Sequence, residues 1–445
     1  MTGRCLRFLA ALVVAGVLAG VAGGGCALLL RLIQHLVYGY WSGSLLDGVG
    51  GAGPARRILA PTLGGAAAGG CWWALRSWCD RRGTTVPRLR AVLGLSTDSP
   101  SLRSPRPRRL PWGTLLPDAL IQILAVATGG SIGRERAPRQ IAAVLADMAT
   151  LRWGLTDRQR HLVLAGAAGA GLAAVYNVPA AGALFTLRVL LQTWDPWAIV
   201  AAVVTSGFAV LTAEPVTQGE STYAWHPHGA GLVTGAGWVT WVAAAAVIPV
   251  AVVAGAGFRR LMGLAGHRTP SGMVLPLAIG AAGLAVGIAA VWLPAAPGNG
   301  KSIATLALVT GAPIATFAVL AVLKPLLTAL FLRAGASGGL LTPSFATGAA
   351  LGAIAGVLAA HWAHGVSVPV CALVGAAAFV STTERAPLFA GVFTWELAHP
   401  QLVLLVVLVA VAIAVRYVRF DRLVPGARMS PRDARAGVPA DPAGQ

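Results

Sequence analysis

The chain has 445 residues, of which 56% are hydrophobic and only 11% charged, and its mean hydropathy is +0.72. Soluble domains usually carry about 25% charged residues, so the composition is that of an integral membrane protein. A formal net charge of +19 would suit nucleic acid, but its distribution points to a membrane surface instead.

Apolar runs recur from Phe8 to Tyr417. The first, 8–30, is longer than a signal-peptide core and lacks a small-residue cleavage site before a soluble domain. Others stand at 236–256, 273–293, 304–332 and 401–415, and they approach the roughly 20 residues that a spanning helix needs. Between them, Arg81, Arg82, Arg88, Arg90, Arg103, Arg106, Arg108 and Arg109 crowd one connection, and Arg416, Arg419, Arg422, Arg428, Arg432 and Arg435 crowd the tail. Lys and Arg are in excess on cytoplasmic loops, which assigns both clusters to the cytoplasm with Met1–Arg7. The segment 212–231 is acidic and has no Lys or Arg, as an external loop would. The expectation is a multi-pass protein of the cell membrane, with the lipid bilayer as a partner and no nucleic acid.

Five cysteines (Cys5, Cys26, Cys71, Cys79, Cys371) are scattered without CxxC spacing and read as small apolar fillers. His226 and His228 in "HPHG" have no partner cluster in sequence, so no metal site and no cofactor is expected. There is no HExxH, no GxSxG with partners and no paired Asp motif, and an enzyme is not expected either.

Two blocks repeat at nearly the same offset. "GRERAP" (133–138) and "GGLLTP" (338–343) each run from Gly to Pro over the same span, 205 residues apart. "PAAGALFTLR" (179–188) and "PLFAGVFTWE" (387–396) both place Phe-Thr at the same distance from their Pro and end in a charge, 208 residues apart. A duplicated membrane unit follows, with repeats at about 8–215 and 232–423 inside a transport domain 1–423, and a basic tail at 424–445. Duplicated halves are a common plan for transporters, whose sites lie at broken helices near the midplane. Gly followed by Pro is a helix-start signal, so 133–138, 176–180, 338–343 and 385–387 are expected to begin helices inside the membrane. Such starts present free N–H groups and the positive end of the helix dipole, and several together would form an anion site.

These residues resemble the CLC family of chloride channels and proton-coupled chloride transporters. The G-R-E-G-P signature of that family stands here as Gly133-Arg134-Glu135-Arg136-Ala137 with Pro138 displaced by one, supported by the "GGxxGRE" context and Gln140. G-x-F-x-P appears as Gly339-Leu340-Leu341-Thr342-Pro343, and G-S-G-I-P as "GTTVP", Gly83 to Pro87. "AGAAGAGLAAVYNVPAAGALF" (165–185) and "ERAPLFAGVFTWEL" (384–397) extend the likeness, in the right order, over roughly residues 8 to 423.

The resemblance implies an all-α membrane fold of two inverted-topology repeats with tilted and broken helices. It also implies a homodimer that carries chloride or a related small anion through each subunit, channel-like or weakly proton-coupled. Glu135 would be the gate, Thr84 would replace a serine at the inner site, and backbone N–H groups near Glu135 and Arg136 and near Leu340 and Leu341 would coordinate the ion. The pore tyrosine is missing, and the best alignment puts Phe420 in its place. Val189 stands where proton-coupled members keep an inner relay glutamate, beside Arg188, which shares a repeat position with Glu396.

Arg136 replaces a glycine of the family. It is expected to act as a counter-charge to Glu135 or as an anion attractor. As a counter-charge it would either favour the ionised gate or draw it out of the path, and the loss of the inner relay favours the second. The alternative for Glu135 is a structural ion pair with Arg134 or Arg136. For the chain as a whole the alternative is a degenerate, non-conducting scaffold.

Overall fold

The computed structural model describes residues 2–87, 109–218, 222–223, 237–267, 269–398 and 401–417, and among them every regular element is helical. The first half runs through α1 (Thr2–Tyr38), a short α2 (Leu45–Gly51), α3 (Pro54–Asp80) and α4 (Trp112–Ala127). It continues with α5 (Arg136–Thr150), α6 (Asp157–Tyr176), α7 (Pro179–Leu184, extended by a π-helical turn Phe185–Leu190) and α8 (Pro196–Thr217). The second half contains α9 (Trp238–Gly266), α10 (Val274–Trp292), α11 (Lys301–Thr305, extended by a π-helical turn Leu306–Thr310) and α12 (Ile314–Arg333). Then come α13 (Leu341–Ala360), α14 (Val368–Glu384), α15 (Pro387–Ala398) and α16 (Leu402–Tyr417).

Seven described helices, α1, α3, α8, α9, α10, α12 and α13, are long and apolar enough to cross a membrane. Exposed tryptophans sit at helix ends: Trp112, Trp197 and Trp238 begin α4, α8 and α9, and Trp292 ends α10. An aromatic ring with a polar N–H suits the headgroup level there. Two expectations are corrected. The apolar run 304–332 is two helices, because Gly311 takes a left-handed φ of 74° and Pro313 caps α12. The loop expected from 212 begins later, since α8 continues through Pro215 to Thr217. "HPHG", the arginine connection at 88–108 and the basic tail lie outside the described residues.

The two halves pack alike. α5 lies on α6 and both touch α1; α13 lies on α14 and both touch α9. The turns entering α7 and α15 share a backbone device, with Asn177 (φ 56°) and Arg385 (φ 54°) each in the left-handed region two residues before the helix-opening proline. Lipid tails give helices no hydrophobic reason to associate, so small residues that permit close approach do that work. One tight seam is α3 on α10, where a Cβ on Gly283 would fall 1.9 Å from the Pro61 carbonyl oxygen.

All four expected helix starts are present: α5, α7, α13 and α15 begin at Arg136, Pro179, Leu341 and Pro387. At about 1.5 Å per residue, the 12-residue α15 reaches about 18 Å, short of the ~30 Å hydrocarbon core. Its ends must therefore be satisfied within the protein, since non-helical backbone at membrane depth survives only where protein or a water-lined cavity surrounds it.

Candidate functional site

The two loops that open α5 and α13 are strapped together. Gly133 N–H donates to Gly339 O at 2.7 Å, and Gly339 N–H returns to Gly133 O at 3.0 Å, an isolated antiparallel bridge between the halves. Gln122 of α4 adds its amide N–H to Gly133 O at 2.6 Å. Both glycines are required by what lies between them. A Cβ on Gly339 would stand 2.1 Å from Glu135 Oε1, and one on Gly133 2.3 Å from Glu135 Oε2.

Glu135 therefore points between the strapped loops into the start of α13. It is 2% exposed. Its Oε1 accepts the Leu341 N–H at 2.7 Å, and its Oε2 accepts the Thr342 hydroxyl at 3.1 Å. A carboxylate is favoured there because the first N–H groups of a helix have no partner within it and carry the positive end of the dipole. An anion of similar size would meet the same donors in the same place.

The arginines around Glu135 go elsewhere. Arg134 lies over the Tyr176 ring at 4.9 Å and donates to Val175 O at 3.4 Å. Arg136 pairs with Asp118 Oδ2 at 3.0 Å and donates to Ser337 Oγ. Asp118, on α4, also accepts from Trp72 Nε1 at 2.9 Å and from Gln140 Nε2 at 3.1 Å. Arg139 lies over Phe185 at 4.9 Å. In place of the alternative pairing of Glu135 with Arg134 or Arg136, and of the counter-charge role considered for Arg136, Glu135 bonds to the opposite half. For Arg136 the reason is Asp118, which takes the guanidinium at 3.0 Å, while both oxygens of Glu135 are taken by the Leu341 N–H and the Thr342 hydroxyl.

Among the other expected site residues, Leu341 supplies its N–H to Glu135. Leu340 caps α13, and its carbonyl is taken by Ser344 N–H at 3.0 Å and Ser344 Oγ at 2.8 Å. Thr84 does not join the cluster: it is exposed, and its N–H and hydroxyl both go to Cys79 O, at 3.0 and 3.2 Å. Phe420 lies outside the described residues. Arg188 lies over Trp194 at 5.2 Å, and its neighbour Val189 is buried in the π-helical turn of α7. Glu396, by contrast, is a second buried carboxylate on a helix start. It accepts Ala180 N–H at 2.9 Å and Ala181 N–H at 2.6 Å, the opening of α7.

Sequence reasoning missed several of these groups. Asp118 and Gln122 stand four apart on an otherwise apolar helix, which places them on one face, and polar residues in such a helix are functional candidates. Lys324 carries the same signal. It is buried in α12, and its ammonium donates to Ala296 O at 3.4 Å and to Gly298 O. Thr342 and Tyr176 gave no such signal, because a hydroxyl beside a helix-opening proline or at a helix end is common in any chain.

A profile of the family described as "Voltage gated chloride channel" matches residues 64–419. The chain belongs to that family. Among relatives of the voltage gated chloride channel family, a protein named voltage-gated ClC-type chloride channel ClcB from Citrobacter koseri is 25% identical over 408 residues, covering 90% of this chain and 93% of that protein. A protein of the same name from Escherichia coli is 28% identical over 418 residues, with 92% and 94% covered. A structure described as a slow cyanobacterial Cl-/H+ antiporter superposes with a TM-score of 0.74 at 19% identity, covering 94% of this chain and 95% of the other. A CLC-type fluoride/proton antiporter gives 0.69 at 18% identity, with 93% and 95% covered. At those identities the two structures establish the fold: this is a multi-pass, all-helical CLC architecture.

Proposed function

We propose that the chain moves chloride or a related small anion across the membrane, with Glu135 as the group that the anion displaces. The observation that carries this is the seat of its carboxylate on the Leu341 N–H and Thr342 hydroxyl at the start of α13. These donors are complementary to negative charge in general, and a tethered carboxylate competes with a free anion for them. Arg136, engaged by Asp118 and Ser337, leaves that seat to Glu135. Val189 cannot carry a proton, so flux is channel-like or weakly coupled to protons.

The test is reconstitution into liposomes with an anion gradient, reading halide efflux and internal pH together. Efflux with little proton movement is expected. Stoichiometric proton counter-flow would show that another residue relays protons, and no efflux would mean a silent scaffold.

We further propose a homodimer with one such path in each subunit. α8 and α16 turn apolar residues outward, among them Val203, Leu211, Leu402 and Val406, and rows of this kind can pack on a second copy without polar adjustment. Cross-linking in membranes checks it, and recovery of monomer alone would contradict it.

A further inference from the structure

Tyr176 ends α6 and Thr342 is the second residue of α13, yet their hydroxyl oxygens lie 2.7 Å apart. The same threonine oxygen lies 3.1 Å from Glu135 Oε2. A hydroxyl has one proton to give and two lone pairs to accept with. With the carboxylate ionised, the threonine proton goes to Glu135, so the 2.7 Å contact is the tyrosine proton on a threonine lone pair. The hydrogen bonds therefore run one way, from Tyr176 to Thr342 to Glu135. A hydroxyl that accepts one bond is polarised and donates the next more strongly. Tyr176 is fixed in this position: it is buried, its ring meets Phe393 edge-on at 6.0 Å, and the Arg134 guanidinium lies 4.9 Å from its centroid.

We propose that this hydroxyl pair sets the anion preference of the site, with Thr342 touching the ion and Tyr176 as a positioning residue acting through it. The proposal rests on the anion-transport function above, with Glu135 as the displaceable group. When Glu135 leaves, Leu341 N–H and the Thr342 hydroxyl face whatever takes its place, and Tyr176 keeps the threonine proton turned toward it. Such donors reward small, strongly accepting anions such as chloride and fluoride. Large, diffuse anions such as thiocyanate accept weakly and gain little from them. Without the hydroxyl, dehydration would dominate, and it costs the small anions more.

The experiment uses the full chain in liposomes, as wild type, Thr342→Val, Thr342→Ser and Tyr176→Phe, under matched chloride and thiocyanate gradients. Thr342→Val keeps the shape and removes the donor, and should lower the chloride-over-thiocyanate flux ratio about tenfold, the equivalent of about 1.4 kcal/mol. Thr342→Ser should stay within about twofold of wild type, because its hydroxyl keeps the bond. Tyr176→Phe should lower the ratio about threefold, as expected for losing a second-hand polarisation rather than a contact. The double variant should fall no further than Thr342→Val, since Tyr176 acts only through that hydroxyl.

Unchanged ratios in Thr342→Val and Tyr176→Phe, with chloride flux intact, overturn the proposal and leave anion transport standing. A wild-type chain that passes neither anion overturns the transport function and the proposal together. If Thr342→Val does not fold, the ratio in Tyr176→Phe decides alone, since that change deletes one oxygen and leaves the ring packing in place.

Discussion

Glu135 and Glu396 are both buried, and each reaches across to a helix start in the other half of the chain. They are held differently. Glu396 accepts two successive backbone N–H groups, Ala180 and Ala181, and projects from within a helix, α15. Glu135 accepts one backbone N–H and one hydroxyl, and projects from the turn residue that caps the start of α5. A hydroxyl can rotate to another acceptor, and a residue at a helix entry can move with little loss of helical bonding, whereas two backbone donors have nowhere else to turn. The same chemistry thus gives a clamp in one place and a displaceable group in the other.

The comparison breaks most visibly at the clamp. Glu396→Ala leaves the buried Ala181 N–H without an acceptor, at about 1–3 kcal/mol, and takes the acceptor of the part-buried Ala180 N–H as well, against a whole-protein margin of only about 5–15 kcal/mol. The expected outcome is a sharp loss of monodisperse protein in detergent and a much lower Tm, with Glu396→Gln milder because its amide oxygen still accepts. An Ala variant that purified normally and changed only anion flux would mean that Glu396 moves in the transport cycle, and the contrast between the carboxylates would be lost.

Glu135→Gln should do the reverse. The amide keeps the size but loses the charge that competes with the anion, so yield and Tm should stay near wild type. Flux should change by about tenfold, the effect of removing ~1.4 kcal/mol of competition. Liposome efflux at one fixed pH reads it. Failure to insert or purify would make Glu135 a second structural clamp.

How much of this contrast is legible in the sequence depends on distance along the chain. The four helix starts are legible because Gly and Pro dictate backbone locally, and 133–138 and 338–343 carry them in the same register. The carboxylate at Glu135 is legible as an intramembrane charge. Its partners are not, since Leu341 and Thr342 lie more than 200 residues away. Nearness in sequence misled at Arg134 and Arg136, which look like counter-charges to Glu135 but turn to Val175 and to Asp118 and Ser337. Gly311-Ala312-Pro313 was a usable cue for the break inside 304–332, hidden by the apolar residues on both sides. Thr84 fits a motif by letter while its hydroxyl is spent on Cys79.

The smallest effect on transport is expected at Arg136, and it sharpens the contrast by removing a rival explanation for it. If the guanidinium drew Glu135 aside, the mobility of that carboxylate would come from a neighbouring charge and not from its mixed N–H and hydroxyl seat. In the structure the guanidinium is bound to Asp118, a carboxylate only 3% exposed at its side chain. Arg136→Gly should therefore lower Tm by a few degrees, since Asp118 loses its charged partner but keeps the Trp72 and Gln140 donors. Breaking a buried pair leaves a charge uncompensated, and those two donors soften the loss. The pH profile of anion flux should superpose on that of wild type. Flux that vanished at neutral pH and returned in acid would place Arg136 on the gate after all. The difference between Glu135 and Glu396 would then belong to the arginine and not to the helix start on which each carboxylate sits.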